Sequence, residues 1–61
     1  MTKESFESYL AEVLEWAADE DGMIESIETY DEAGILSQDR GLVVKMTDGR
    51  SEFQLTIVKS S

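Results

Sequence analysis

GLVVKMTDGRSEFQLTIV, residues 41 to 58, holds the clearest structural signal in the chain. Asp48-Gly49 lies between two runs in which apolar and polar residues alternate, the pattern of a hairpin closed by a two-residue turn. Pairing Thr47 with Arg50 sets Met46 opposite Ser51, Val44 opposite Phe53 and Leu42 opposite Leu55, with Ile57 beyond them on the same side. The other side then pairs Lys45 with Glu52 and Val43 with Gln54. A slip of one residue would turn the apolar set to the wrong face, so the pattern itself pins the register. The expectation is two strands, about residues 41–47 and 50–58, with Leu42, Val44, Phe53 and Leu55 forming a face that receives another element.

That element lies at the N-terminus. Phe6, Leu10, Val13, Leu14 and Ala17 recur at helical spacing, with Tyr9 and Trp16 widening the stripe and Glu4, Glu7, Glu12, Glu15 and Asp19 on the opposite side. Thr2 is placed to cap the helix, and Gly22 to stop it. An amphipathic helix is expected over about 3–18. Between helix and hairpin, MIESIETY (residues 23–30) has a spacing that fits either helix or strand. Its β-branched residues and flanking Gly22 and Gly34 favour strand. DEAG and SQDRG read as turns, and all four glycines are expected at turn positions. The fold class is therefore α+β: one N-terminal amphipathic helix on a three-stranded antiparallel sheet, in the order α-β-β-β, as a single domain spanning residues 1–61.

Charge is distributed very unevenly along this chain. Residues 1–34 hold eleven acids against Lys3, whereas residues 35–61 hold three acids against four cations, within a total of −9. Such a balance disfavours nucleic acid and anionic membranes as direct ligands, since both are bound through Lys and Arg. It favours a basic protein surface instead. Asp19, Glu20 and Asp21 stand where a helix dipole prefers cations, against local preference. The candidate contacts are Glu12, Glu15, Asp19, Glu20, Asp21, Glu25, Glu28, Asp31 and Glu32.

The absence of His and Cys removes the usual general base, thiol nucleophile, disulfide and zinc-thiolate chemistry. The serines have no base to activate them, and no glycine-rich phosphate loop is present. No catalytic residue, cofactor or metal is assigned, and the expected activity is not enzymatic. One spacing runs the other way: Asp19, Asp21, Gly22, Ile24 and Glu28 match five positions of a calcium-binding EF-hand loop. Ala17 stands where the first ligand should be, and no exiting helix follows, so this remains a degenerate EF-hand-like alternative.

MTKESFESYL has neither the basic region nor the continuous apolar run of a signal peptide, and no stretch reaches the roughly 20 apolar residues of a membrane span. A cytoplasmic protein is expected. Helix carboxylates one turn apart are about 5.4 Å apart along the axis, of the order of the spacing between successive phosphates. A row of them suits a basic groove built for DNA or RNA, and in size and charge alone the chain resembles small acidic inhibitors of host nucleic-acid enzymes. Function is thus expected in a nucleic-acid-mimicking, protein-binding module that inhibits by occlusion. The plainer alternative is an acidic face that only confers solubility on a homo-oligomeric assembly domain. Val43, Val58, Ile35, Leu36, Trp16 and Tyr9 are its candidate homodimer contacts.

Overall fold

The computed structural model describes residues 1–61. Helix α1 spans Lys3–Asp21, strand β1 Ile24–Thr29, a single helical turn α2 Tyr30–Ala33, strand β2 Arg40–Met46 and strand β3 Glu52–Ile57. The strands form one antiparallel sheet in the order β1-β2-β3, with α1 packed mainly on β1 and β2. The expected architecture is the one observed, and residues 23–30 are indeed mostly strand. DEAG is not a plain turn: Thr29 and Glu32 form a reciprocal capping box around α2.

The β2–β3 register is the one read from the sequence, with Leu42↔Leu55, Val43↔Gln54, Val44↔Phe53 and Lys45↔Glu52. The turn that sets it differs from expectation. A two-residue type I′ turn needs positive φ at both central residues, yet only Gly49 (φ 76°) has it here. Gly49 N–H donates to Met46 O at 3.4 Å, and Asp48 Oδ1 accepts from the N–H groups of Arg50 and Ser51, each at 2.8 Å. The Ser51 hydroxyl adds a third bond, to Asp48 Oδ2. Asp48 thus closes a longer loop with its side chain, and these bonds, that from the Ser51 hydroxyl foremost, hold its carboxyl below the usual aspartate value.

Helix α1 begins at a Thr2–Ser5 capping box and ends at Gly22 (φ 66°), whose N–H bonds Ala18 O. It runs one turn beyond the expected end, so Asp19, Glu20 and Asp21 do occupy its last turn, where no basic residue offsets them. Its docking face is rotated from the expected stripe. Lys3, Leu10, Ala11, Leu14, Ala17 and Ala18 are half-buried and Glu7 is buried, while Phe6, Tyr9, Val13 and Trp16 remain exposed. Three alanines let the helix axis approach the sheet closely, while the large side chains stay on its flank. Beneath it Leu42 is fully buried and Val44 nearly so, but their β3 neighbours Phe53 and Leu55 are 55% and 39% exposed.

On the opposite face of the sheet, one residue covers the end near the start of β2. The Tyr30 ring lies over Gly41, and its hydroxyl hydrogen-bonds Thr56 Oγ1 at 2.7 Å, fastening the end of β1 across β2 to β3. Gly41 therefore serves a close approach within a strand, not the turn expected of it. Val43, expected to be open on this face, is also buried. A methyl at residue 41 would collide with both the Tyr30 ring and the Leu55 carbonyl. Gly41→Ala should cost about 1–3 kcal/mol, the range for overpacking a filled site, read as a lower urea midpoint with unchanged slope.

Candidate functional site

The expected contact residues divide into groups that the fold treats differently. Glu12 and Glu15 are exposed on α1, and Asp19, Glu20 and Asp21 crowd its last turn. Across from them β1 carries a bulge between Ile24 and Ser26. The extra residue, Glu25, is exposed, and the bulge lets Ile24 and Ile27 both turn toward α1 although they are three apart. Glu15, Asp19 and Glu25 consequently line one open groove of about 350 Å³ between helix and strand, floored by Ala18, Ile24, Ser26 and Ile27. Three carboxylates from two elements border it.

The remaining candidates do not line that groove. Glu28 pairs with Val43 on the sheet face away from α1 and is half-buried. Asp31 lies 3.8 Å from Arg40. Asp21 Oδ1 accepts the Met23 N–H at 2.9 Å, a local bond that eases the chain out of the helix. Glu32 Oε1 accepts the Thr29 N–H at 2.9 Å, and that bond holds its carboxyl below the usual glutamate value.

All the ion pairs lie near the start of α1. They are Lys3–Asp39 at 3.1 Å, Arg40–Glu7 at 3.5 Å and Arg40–Asp31 at 3.8 Å. Glu12, Glu15, Asp19, Glu20, Asp21, Glu25 and Glu28 have no cation within 4 Å. The structure therefore separates an ion-paired end from an unpaired acidic side formed by the second half of α1 and the β1 edge. Such a side offers several carboxylates to guanidinium or ammonium groups, the strong charge-assisted kind of hydrogen bond.

The buried Glu7 was not foreseen; the sequence placed it on the solvent side. It sits under α1 with Arg40, whose Nε is buried without a hydrogen bond. Its signal was a second stripe, Lys3-Glu7-Leu10-Ala11-Leu14-Ala18, at helical spacing and beside the apolar one. The EF-hand spacing does not become a loop: Asp19 and Asp21 are helical, Glu28 lies in β1, and no three carboxylates approach closely enough to share a metal ion. No helix is long and apolar enough to cross a membrane. The chain matches no family model, and no curated protein or solved structure matches it.

The Glu32 capping bond is open to a pH test. A carboxyl whose folded pKa is depressed adds stability that is fully present above its unfolded value, about 4.3 for glutamate, and is lost as pH falls through the folded value. Urea unfolding should therefore rank the wild type above Glu32→Gln at pH 7. The gap should close as pH falls through the carboxylate range, because a protonated Glu and a Gln cap alike.

Proposed function

We propose that this protein is a non-enzymatic, protein-binding module whose acidic side occupies a basic surface on a DNA- or RNA-binding protein. It acts as a nucleic-acid mimic and inhibits by occlusion. A cytoplasmic setting, where such targets are found, goes with this reading. One observation carries it: the carboxylates of Glu12, Glu15, Asp19, Glu20 and Glu25 make neither an ion pair nor a capping bond. Like charges so gathered repel one another and destabilise the compact state unless a partner supplies cations. Glu15 and Asp19 stand one turn apart on a rigid helix, and Glu25 extends the row onto β1. A surface of this kind is steered quickly to its target and weakens steeply with salt.

Self-association is the second reading, and a different observation favours it: the apolar flank of α1 and the β3 face lie uncovered beside each other. It concerns the opposite side of the molecule and leaves the acidic side free.

The acidic reading is tested by the triple variant Glu15→Lys, Asp19→Lys and Glu25→Lys. Asp19→Lys places a cation in the last turn of α1, where the dipole favours it, and all three changes relieve like-charge repulsion, so thermal stability should hold or rise. The wild-type protein, immobilised in native lysate, should retain a nucleic-acid-binding protein that short duplex DNA displaces. The triple variant should bind that protein at least about 100-fold more weakly, each lost charge pair contributing of the order of 1 kcal/mol. Retention of the same proteins by both forms, with DNA displacing none, would falsify the mimic.

A further inference from the structure

The two edges of the sheet are treated unlike one another. β1 is blunted by the Glu25 bulge, carries Glu25 and Glu28, and runs into α2. These are the devices that keep an edge from pairing. β3 has neither bulge nor capping element: Glu52–Ile57 is an unbroken six-residue run whose one charge, Glu52, stands at its end, and it has no proline. Its hydrogen-bonding phase follows from the ladder. Met46 N–H donates to Ser51 O at 3.0 Å, and antiparallel alternation then turns Phe53, Leu55 and Ile57 toward β2. Glu52, Gln54 and Thr56 are left with their backbone N–H and C=O groups pointing outward.

We propose that β3 pairs antiparallel with β3 of a second copy, about a two-fold axis at Gln54 and normal to the sheet, giving a six-stranded sheet with both helices on one face. This rests on the self-association reading and supplies its surface and register. With Gln54 opposite Gln54 of the second copy, Glu52 meets Thr56 and Phe53 meets Leu55, so no like charges are opposed. Neighbouring registers break this match: setting Phe53 opposite itself pairs Glu52 with Gln54 and shortens the ladder, and centring on Leu55 carries Glu52 to Val58.

The uncovered apolar surface lies where this arrangement needs it. Phe6 lines a groove with Ile57 and Val58, placing the exposed flank of α1 on the β3 side. Glu15 and Asp19 line the groove with β1, placing these two acids on the other side, while Glu20, two turns on from Val13, ends the flank that faces β3. In the pair, the Phe6, Tyr9 and Val13 flanks of the two helices face each other across Phe53 and Leu55 of both copies. These five side chains, between 39% and 56% exposed, leave roughly 400 Å² of apolar surface per copy, taking about 200 Å² for an aromatic side chain. A stable interface buries about 800 Å² per partner, a little over half of it apolar. The surface therefore matches the need.

Nor does the charge of −9 forbid pairing. Glu15, Asp19 and Glu25 border the groove between α1 and β1, about two strands or 10 Å from β3. These acids of the two copies are therefore separated by more than the ~8 Å screening length at physiological salt. Raising salt should tighten this association, the opposite of its effect on a basic partner.

Sedimentation equilibrium at high micromolar concentration should give twice the 6.9 kDa of the chain. Phe53→Lys should weaken the dimer about 30-fold or more, the size expected of a central aromatic anchor, with unchanged circular dichroism. The chain has no cysteine, so Gln54→Cys reports the axis directly. Its self-pair has a Cα separation of about 5.5 Å, within disulfide reach, and mild oxidation should cross-link it. Ser8→Cys, on the outer side of α1, should stay uncross-linked. A 6.9 kDa species throughout would overturn both the pairing and the self-association reading. A dimer indifferent to Phe53→Lys, whose Gln54→Cys form does not cross-link, would overturn the β3 pairing and leave self-association standing.

Discussion

One helix cannot roof three strands, and the rest of the molecule follows from that mismatch. Strands lie about 4.8 Å apart and a helix with its side chains is about 10–12 Å wide, so α1 covers two strands fully. It settles on β1 and β2. Leu42 and Val44 on the middle strand are sealed, while Phe53 and Leu55, paired directly with them, remain in water. The pairing is symmetric in sequence and asymmetric in burial, because burial depends on what lies above each strand.

The same limit explains the rotation of α1. If the Phe6–Leu10–Val13–Ala17 stripe faced the sheet, its large side chains would hold the helix away from β1. Turning Ala11, Ala17 and Ala18 inward brings the backbones together and lets Leu10 and Leu14 fill the space between them. The rotation carries Glu7 beneath the helix, where Arg40 faces it at 3.5 Å. Removing one member of such a pair leaves a poorly solvated charge, whereas the pair itself adds little net stability. Its effect here is orientation: with Lys3–Asp39, it pins the start of α1 to the start of β2.

What could be read from the sequence was what neighbours in the chain decide. The β2–β3 register was legible because alternation on two strands and an Asp-Gly turn agree, and the Thr2 cap because capping is local. The type of turn was not, since it rests on three bonds that the Asp48 carboxylate accepts and that make positive φ at Asp48 unnecessary. Gly41 was misread because the ring that needs its missing side chain arrives from Tyr30, eleven residues earlier. Glu7 was misplaced because two stripes coexist on α1, and sheet width, which no helical wheel contains, chooses between them. Among the acids, Glu15, Asp19 and Glu25 come together through a β-bulge that period-two reading cannot foresee. The pull of Thr29 on Glu32 needs only a capping box, and could have been found from T-x-x-E.

The molecule thus has two unlike sides, and their opposition is coherent. A chain of 61 residues buries few side chains, and unpaired acids subtract from a stability that is already small at this size. Folding can recover the loss only on the side where charge is sparse, and that is where β3 lies open beside the apolar flank of α1. Pairing there adds hydrogen bonds and apolar burial while keeping the acids of the two copies far apart. Stability then becomes a function of protomer concentration. Under the proposed pairing the acidic side would keep its charge for a cationic partner and would be displayed twice, once on each copy.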